Sequence, residues 1–337
     1  MRRKIAILGS GAFGIALAIH FSRRKDYDVK LWVHSRATMD LANTRHITKK
    51  YPTITLRKDL FISTDVRQVL HGSEIIISAI SSNFLREFLH NAAGIWPKEI
   101  IVISVTKGME LNTLMRMTEI IKEELRIPNE KIAVLSGPNL AHEIAQGKSA
   151  TTVIASNNKA TLDICQKYIH MEPYFRVYSS NDVLGVELSG AAKNVIAIAA
   201  GICDSKPERI GENERASLLV RGAKEIKRLC FKLGSDPELF SDLACHGDIF
   251  VTCSSTESRN YKYGREIGAE CDPDVAATRI SGIAEGINTA RVLRKLSEIH
   301  EVRMPISKAV YDVITKQTNV NEAINTLLRS GGKAEYD

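Results

Sequence analysis

The sequence has no apolar run long enough to cross a membrane. Its longest apolar stretch, Val195–Cys203, is diluted by alanine and glycine and falls far short of the roughly 18 residues that a membrane span needs. The basic start is followed by the short run Ile5–Leu8, which ends at Gly9, so a secretory signal is not indicated. We therefore expect no membrane insertion and a cytoplasmic location.

The sequence also lacks the cysteine pairs that are typical of zinc sites and of disulfide-rich folds. Six cysteines occur in 337 residues, and none belongs to a C-x-x-C motif. A disulfide framework is rare in chains of this length, which indicates a reducing compartment. Cys245, His246 and Cys253 could ligate a metal, but the second ligand pair of a tetrahedral site is missing, so we predict no metal.

Acidic residues are fewer than basic ones: 39 Asp and Glu stand against 46 Lys and Arg, a formal net charge of +7. This excess favours an anionic partner such as nucleic acid, a membrane surface or a phosphorylated small molecule. The basic residues are scattered, without a recognisable nucleic-acid-binding module, so we expect no nucleic-acid partner. The length of 337 residues, with 44% hydrophobic residues, is typical of two globular domains.

Short β-branched runs alternate with helical patterns in the first half of the chain, which predicts an α/β domain with a mostly parallel sheet. The predicted strands are Lys4–Leu8, Val29–Val33, Leu60–Ser63, Glu74–Ile80, Ile100–Val105, Ile132–Leu135, Thr151–Ala155 and Phe175–Tyr178. After residue 181 the strand pattern disappears, and Asp182 is placed to cap a helix. Further helices are predicted at Glu214–Leu233, Pro237–Ser241, Pro273–Ile280, Glu285–Ile299, Ser307–Thr315 and Val320–Arg329. We therefore predict an α/β domain over residues 1–181 and an all-α domain over residues 182–337.

A glycine motif follows the first predicted strand and opens the first predicted helix. It reads Gly9-Ser10-Gly11-Ala12-Phe13-Gly14. The first glycine permits a tight turn, the second lets a pyrophosphate approach the backbone, and the third lets helix and strand pack closely. The pyrophosphate would lie at the helix N-terminus, where unpaired N–H groups favour an anion. Because of its place between strand and helix, the motif predicts a Rossmann-like dinucleotide-binding domain rather than a bare glycine turn.

The end of the second predicted strand bears on the choice between NAD and NADP. A domain that prefers NAD usually carries Asp or Glu there, bonded to the ribose 2′-hydroxyl. The chain instead reads His34-Ser35-Arg36, and the Arg36 guanidinium suits a 2′-phosphate. NADP(H) is therefore favoured and NAD(H) possible, unless Arg36 is only a solvated surface residue.

Polar residues stand where the later strands are predicted to end. Ligands of doubly wound sheets lie beyond the carboxyl ends of the strands. Those positions hold Ser81-Ser82-Asn83, Thr106-Lys107-Gly108 and Ser136-Gly137-Pro138-Asn139. A lysine directly after a buried strand and beside a glycine is more typical of a binding site than of a random surface charge, so Lys107 is a candidate site residue.

Several further segments form an ordered series along nearly the whole chain. They are Phe175–Tyr178, Glu187–Ile198, Gly247-Asp248, Thr252-Cys253, Ser258-Arg259-Asn260, Glu285-Gly286 and Met304-Pro305-Ile306, together with Ser136–Glu143, which matches an S-G-P-x-x-A-x-E pattern. This series resembles the NAD(P)-dependent glycerol-3-phosphate dehydrogenase family of bacterial type. The resemblance implies reduction of dihydroxyacetone phosphate to sn-glycerol 3-phosphate by a nicotinamide hydride, for phospholipid synthesis, in a homodimer.

The resemblance also implies roles for individual residues. Lys193 corresponds to the proton donor of reduction, Lys107 orients and polarises the carbonyl, and Asp248 orients Lys193 and the substrate hydroxyls. The implied substrate-binding residues are Lys107, Gly137, Asn139, Lys193, Asn194, Asp248, Thr252, Ser258, Arg259 and Asn260, with Arg259 and Asn260 as a phosphate clamp. The implied cofactor-binding residues are Gly9, Ser10, Gly11, Ala12, Phe13, Gly14, His34, Arg36, Lys107, Ala141, Arg259, Ile283 and Glu285.

Three features depart from the family pattern. The segment 204–216 is longer and more charged than the usual glycine-rich one, His246 stands in the segment before Asp248, and Ser189 replaces a common glycine. None of them removes a group that does the chemistry, but all three bear on the shape of the pocket.

Two other functions stay open on the sequence. Another β-hydroxyacid-type dehydrogenase, such as a 3-hydroxyacid or 6-phosphogluconate enzyme, would share the two-domain build. Those enzymes carry K-x-x-x-N on the catalytic helix, whereas Lys193 and Asn194 are adjacent here. The second alternative is a non-catalytic nucleotide-binding sensor, which the charged segment 206–209 favours and the intact candidate catalytic residues oppose.

Overall fold

Eight strands form one sheet in the first half of the chain. The computed structural model describes residues 2–97, 99–238 and 240–329. The strands are β1 (Arg3–Leu8), β2 (Tyr27–Trp32), β3 (Phe61–Ser63), β4 (Ile75–Ser78), β5 (Ile101–Ser104), β6 (Ile132–Ser136), β7 (Ala150–Ala155) and β8 (Phe175–Ser180). All eight predicted strands are thus confirmed, with ends that differ by one or two residues.

The strand order is β3-β2-β1-β4-β5-β6-β7-β8. Every neighbouring pair is parallel except β6 and β7, which are antiparallel. Ile5 of β1 is in register with Val29 of β2 on one side and with Ile75 of β4 on the other. The strand order reverses at β1, between β2 and β4, and such a switch point is where doubly wound sheets bind their ligands.

Within the described residues, seven α-helices cover the sheet. They are α1 (Ala12–Ser22), α2 (Arg36–Arg45), α3 (Val66–Leu70), α4 (Ser82–Ala92), α5 (Met117–Leu125), α6 (Ala141–Gln146) and α7 (Lys159–Ile169). Two separate apolar cores result, one around Phe21 and Phe175 and one around Leu85, Trp96 and Met117. Because strand side chains alternate between the two faces, each core fills one face of the sheet.

Only helices follow Ser180 in the part of the chain that the structure describes. They are α8 (Val183–Asp204), α9 (Glu212–Lys232), α10 (Asp248–Cys253), α11 (Arg259–Gly268), α12 (Pro273–Arg279), α13 (Gly286–Ile299), α14 (Pro305–Ile314) and α15 (Val320–Leu328). The predicted fold class, a mostly parallel α/β sheet followed by an all-α part, is confirmed. Residues 330–337 of the predicted second domain lie outside the described residues.

Helix α8 is the central element of the second half. It begins where predicted, because the Asp182 carboxylate accepts a hydrogen bond of 2.8 Å from the backbone N–H of Gly185. Helices α9, α11 and α13 pack around it. Among the described residues it is the one helix long and apolar enough to cross a membrane, but 89% of its apolar window is buried inside the protein. Its apolar composition is therefore that of a core helix.

The predicted helix Pro237–Ser241 is wrong. Its described residues form a turn at Pro237 and Glu238, and helical structure resumes only with the π-helix Leu243–Gly247, which leads directly into α10. The fixed φ of a proline suits a first helical turn but does not by itself offset the cost of nucleating a helix. Pro273 does begin a helix, as predicted, and the helix predicted from Ser307 begins two residues earlier, at Pro305.

Candidate functional site

The glycine loop between β1 and α1 has the geometry of a pyrophosphate cradle. Gly9 has a φ of +124°, and a Cβ there would lie 2.6 Å from the carbonyl oxygen of Ala79. A Cβ on Gly14 would lie 2.1 Å from the carbonyl oxygen of Gly9, so helix and strand are as close as glycine allows. At Gly11 the added atom would meet nothing within 4 Å, and no side chain caps the start of α1. The loop therefore leaves open space and free N–H donors where an anion is favoured.

The end of β2 presents the residues considered for the ribose. His34 and Arg36 are both exposed, and Arg36 is the first residue of α2. The His34 ring lies edge-on to Trp32, with ring centroids 6.1 Å apart. Arg36 makes no hydrogen bond or ion pair within the part of the chain that the structure describes. Its guanidinium is therefore free to meet an anion.

Three candidate catalytic residues meet where the sheet faces the helices. Lys193, on α8, donates a hydrogen bond of 2.7 Å from Nζ to Oδ1 of Asp248, at the start of α10. Lys107, which follows β5, donates to Oδ2 of the same carboxylate. Lys107 Nζ also lies 3.0 Å from the carbonyl oxygen of Gly137. One carboxylate is thus shared by two ammonium groups that come from opposite halves of the chain.

Burial intensifies the electrostatics of this cluster. Asp248 is 1% and Lys193 is 5% exposed. Burial alone would raise the pKa of Asp248, but Lys107 and Lys193 outweigh it and hold that pKa below its ordinary value. Burial lowers the pKa of Lys107 to about 8, a shift that Lys193 increases and Asp248 partly opposes. At neutral pH the Asp248 carboxylate is therefore ionised and faces a protonated Lys107.

Each ammonium group keeps one donor for a ligand. An ammonium carries three N–H donors. Lys193 uses one on Asp248 and one on the hydroxyl oxygen of Thr252, and that hydroxyl in turn donates to Asp248 at 3.1 Å. Lys107 uses one on Asp248 and one on Gly137. One N–H donor thus remains on each lysine, available for a carbonyl or hydroxyl oxygen of a ligand.

Two asparagines connect the cluster to neighbouring elements. The side-chain amide of Asn194 donates to the carbonyl oxygen of Lys107 at 3.2 Å. Asn260 accepts a hydrogen bond of 2.9 Å from the backbone N–H of Gly286, at the start of α13. A Cβ on Gly286 would lie 2.8 Å from the carbonyl oxygen of Asn194. The predicted residues Asn194 and Asn260 are therefore brought together across the start of α13.

The remaining phosphate-clamp candidates lie at the start of α11. Ser258 is its N-cap and accepts a hydrogen bond of 3.2 Å from the N–H of Tyr261. The Arg259 side chain is exposed, and its Nη1 is 3.1 Å from where a Cβ on Gly282 would stand. Arg259 thus lies against the segment that carries Ile283. Its guanidinium has no hydrogen-bond or ion-pair partner among the described residues.

Glu285, predicted to contact the cofactor, joins the two halves of the chain instead of pointing into open space. Its carboxylate accepts hydrogen bonds from the hydroxyls of Ser81 and Ser82 and, at 3.3 Å, from the backbone N–H of Ser82. Asn288 donates to Asn83 at 2.7 Å beside it. The start of α4 and the start of α13 are therefore bonded together.

Other predicted residues serve the packing of the sheet. The Asn139 amide is used at both ends, since it donates to the carbonyl oxygen of Thr151 at 3.0 Å and accepts from Thr152 at 2.8 Å. Gly137 has a φ of +148° and packs against Thr152. Ala12, Phe13 and Ala141 are partly buried against the core between α1 and α6. Their assignment to substrate or cofactor stays a prediction.

The three departures from the family pattern have defined neighbours. His246 lies on the π-helix with its Nδ1 3.0 Å from Asp242, and Ser189 is buried with its hydroxyl 3.9 Å from Cys230 Sγ. In the charged segment, Lys206 pairs with Glu270 at 2.9 Å. Arg209 donates to two asparagines of α15. These two cations are thus held by surface residues of the helices.

Sequence reasoning missed one buried group near the cluster. Glu187, on α8, accepts hydrogen bonds from Thr118 and Arg116. The signal was present in the sequence, because Glu187 and Lys193 are the two charged residues of α8 before its last residue. A charge in so apolar a helix needs a partner.

A cavity of about 980 Å³ opens beside β7 and β8. None of the predicted site residues lines it; its walls include Pro138, Arg176, Tyr178 and Asp242. No cluster of three potential metal ligands occurs within residues 2–97, 99–238 and 240–329. The shared carboxylate therefore remains the strongest candidate for a catalytic centre.

Comparison with known proteins gives a consistent assignment. The model of the N-terminal part of NAD-dependent glycerol-3-phosphate dehydrogenases matches residues 4–162, and that of the C-terminal part matches residues 182–325. A glycerol-3-phosphate dehydrogenase (NAD(P)+) of Thermoanaerobacter sp. is 38% identical over 333 residues, covering 98% of either chain. One of Corynebacterium aurimucosum is 39% identical over 333 residues, 98% of this chain and 99% of the relative. The crystal structure of glycerol-3-phosphate dehydrogenase from Coxiella burnetii superposes with a TM-score of 0.90 at 30% identity, covering 97% of this chain and 99% of the other. The chain belongs to the NAD-dependent glycerol-3-phosphate dehydrogenase family.

Proposed function

We propose that the protein catalyses reversible hydride transfer between NAD(P)H and dihydroxyacetone phosphate, with sn-glycerol 3-phosphate as the reduced product. The observation that carries this proposal is the Asp248 carboxylate shared by Lys107 and Lys193, each with one N–H donor left over. Family membership supplies the reaction. The free donors supply what a ketone needs as it becomes an alkoxide, namely positive charge and a proton.

The residues at the glycine loop fit a dinucleotide. Gly11 leaves open space and α1 begins without a side-chain cap, so the loop Gly9–Gly14 would hold the pyrophosphate. His34 and Arg36 would hold the ribose end, and Lys107, Ala141, Arg259, Ile283 and Glu285 would line the rest of the cofactor. When bound, the nicotinamide supplies a hydride.

The proton comes from the protein. In reduction, Lys193 donates the proton that is not bonded to Asp248 or Thr252 to the oxygen of the substrate carbonyl, while the carbonyl carbon receives the hydride. Lys193 is then reprotonated from solvent. Lys107 directs its free N–H at the same region and polarises the carbonyl. Asp248 holds both lysines in place, and the hydroxyl of Thr252, itself bonded to Asp248, accepts a second hydrogen bond from the Nζ of Lys193.

The phosphate of the substrate is assigned to the start of α11. Arg259 has a guanidinium without a partner in the described part of the chain, and a planar fork of donors suits phosphate oxygens. Ser258 and Asn260 flank it, and the helix N-terminus adds a favourable dipole. Gly137, Asn139 and Asn194 complete the proposed substrate contacts.

A rate assay tests this function. Purified protein should oxidise NADPH or NADH, followed at 340 nm, only when dihydroxyacetone phosphate is present. Lys193→Ala should lower kcat by at least about 10³-fold while cofactor binding changes little. Lys159→Ala is the matched control, since Lys159 is an exposed lysine paired with Asp163. Cofactor binding without turnover by the wild type would instead identify a nucleotide sensor.

NADP(H) is the proposed preferred cofactor, and the exposed Arg36 carries that proposal. Arg36→Ala should raise the KM for NADPH about tenfold or more and leave the KM for NADH nearly unchanged. Arg45→Ala, at the other end of α2, is the matched control because it removes the same charge from the same helix. A KM for NADPH that does not respond to Arg36→Ala contradicts the assignment.

Family membership supports a proposal for the cellular setting. We propose a cytoplasmic homodimer that supplies the backbone of phospholipids, without a metal, in which residues 1–181 bind the cofactor and residues 182–337 carry the helical substrate domain. All six cysteines are unpaired, which suits a reducing compartment. Sedimentation equilibrium of the purified protein checks the dimer, and turnover in the presence of a chelator checks the absence of a metal requirement.

A further inference from the structure

Glu187 is buried in the same helix as Lys193 but takes no part in the proposed proton transfer. It is 3% exposed, and it stands six positions before Lys193 on α8. A buried charge is costly unless it is well paired. The partners of the Glu187 carboxylate therefore indicate its role.

The partners of Glu187 all belong to the start of α5, in the other half of the chain. The backbone N–H and the hydroxyl of Thr118 donate to its carboxylate at 2.8 and 2.6 Å, and the Arg116 guanidinium donates at 3.1 Å. Arg116 is in turn held by Glu119 at 2.7 Å. Helix α5 is anchored on the sheet through Met117, Ile120 and Ile121. The carboxylate therefore ties α8 to a helix that is itself fixed to the sheet.

Two further contacts with the sheet lie on the same face of α8. A Cβ on Gly190 would lie 2.4 Å from the hydroxyl of Ser136, at the end of β6. Asn194 donates to the carbonyl oxygen of Lys107, after β5. Glu187, Gly190 and Asn194 are spaced by three and four residues, which places them along one helix face. Together they determine both the rotation and the height of α8 against the sheet.

This register bears directly on the proposed reaction, because Lys107 and Lys193 must reach the same carboxylate from different halves of the chain. The contacts of Gly190 and Asn194 are a close approach and one neutral hydrogen bond, whereas Glu187 contributes three hydrogen bonds, one of them charged on both sides. We propose that Glu187 is a positioning residue: through Thr118 and Arg116 it sets the register of α8 against the sheet, so that Lys107 reaches the Asp248 carboxylate that Lys193 holds. This inference rests on the proposed function.

Glu225 provides a matched control for the purely structural effect of losing such a group. It is 1% exposed on α9, and it accepts hydrogen bonds of 2.6 Å from the N–H of Ile306 and of 3.0 Å from the N–H and the hydroxyl of Ser307. Burial raises the pKa of both carboxyls. Glu225 binds the start of α14 just as Glu187 binds the start of α5, but its bonds do not reach the sheet.

The experiment compares Glu187→Gln and Glu187→Ala with Glu225→Gln and Glu225→Ala. Rates are expressed per cofactor-binding site, counted by titration of Trp fluorescence, so that unfolded protein does not contribute. A displacement of about 1 Å in an active site lowers a rate roughly 10²-fold. Glu187→Ala should therefore lower kcat about 30- to 100-fold, with the KM for the cofactor unchanged within about twofold. Glu187→Gln should lose less, since its amide oxygen keeps the bond from the Thr118 N–H and its NH2 group can donate to the Thr118 hydroxyl in the reverse direction.

The outcomes separate the two proposals. Both Glu225 variants should keep kcat within about twofold of the wild type, even where the thermal midpoint falls as far as in the Glu187 variants. A kcat per site that is equal for Glu187→Ala and Glu225→Ala overturns the positioning role and leaves the proposed function intact. A wild type without turnover overturns both. Should Glu187→Ala fail to fold, Glu187→Gln against Glu225→Gln decides by the same criterion.

Discussion

Replacing Asp248 by Asn tests the electrostatic design of the candidate catalytic centre. The amide has nearly the shape of the carboxylate but none of its charge, and it leaves Lys107 and Lys193 together in a site where Asp248 is 1% exposed. Removing one partner of a buried ion pair usually costs about 3–5 kcal/mol, because an uncompensated charge remains. We expect Asp248→Asn to lower the free energy of unfolding by that amount at pH 6 and to abolish turnover.

The pH dependence of that loss is the sharper test. With Asp248 present, the pKa of Lys107 is already about 8, against 10.5 for an ordinary lysine. Since Asp248 is the group that opposes this shift, its loss lowers the pKa of Lys107 further. The unfolded chain then binds more protons than the folded one from that lower pKa up to about 10.5. In this window the free energy of unfolding rises with pH, by about 1.4 kcal/mol per pH unit.

The free energy of unfolding of the variant should consequently rise between pH 6 and pH 8. In the wild type, Lys107 changes the free energy of unfolding little over this range. Urea unfolding at pH 6, 7 and 8, with the difference in free energy plotted against pH, measures the effect. Asp163→Asn is the control, because Asp163 pairs with Lys159 at an exposed site, where an ion pair contributes little. A deficit of Asp248→Asn that is constant from pH 6 to pH 8, or smaller than about 1 kcal/mol throughout, would refute the shared-carboxylate reasoning.

Two further predictions concern buried positions. Burial, with a smaller contribution from Arg23, lowers the pKa of His20 to about 4, and the unfolded chain binds this proton first. Because of His20, the free energy of unfolding should fall by about 3 kcal/mol as pH falls from 6.5 to 4. His20→Phe should therefore shift the midpoint of acid unfolding, followed by circular dichroism, to lower pH. An unchanged midpoint contradicts this prediction. Gly190→Ala should lower kcat about tenfold, because the added methyl group overlaps the Ser136 hydroxyl and displaces α8 from the sheet. The double variant with Ser136→Ala should restore much of the rate, and a single variant with unchanged kcat would show that the contact is not tight.

Local patterns were sufficient to predict most of the fold. All eight strands were predicted because buried parallel strands read as short β-branched runs, as in Ile75–Ser78. The start of α8 was predicted from the end of the strand pattern and from Asp182, since an N-cap acts within its own turn. The error at Pro237–Ser241 has the same origin. A proline is compatible with a helix start, but nothing within five residues shows whether enough backbone hydrogen bonds follow.

The candidate site was predictable only in part. The glycine loop was identified by its spacing and Lys107 by its place after a buried strand, whereas Lys193 and Asp248 were identified by the resemblance of their segments to the family. Their mutual contacts were not predictable, since Asp248 is 55 positions from Lys193 and 141 from Lys107. The bond of Glu285 to Ser81 and Ser82 spans an even longer separation.

The sequence by itself thus determined the order of elements, the dinucleotide loop and the identity of the charged groups, because these depend on interactions within one turn or one strand. Only the tertiary structure decided which of those groups share a carboxylate, that the Asn139 amide is bonded to β7, and that Glu187 ties α8 to α5. The physical reason is that burial and proximity set the strength of a charge interaction. Both come into being only when distant segments pack together.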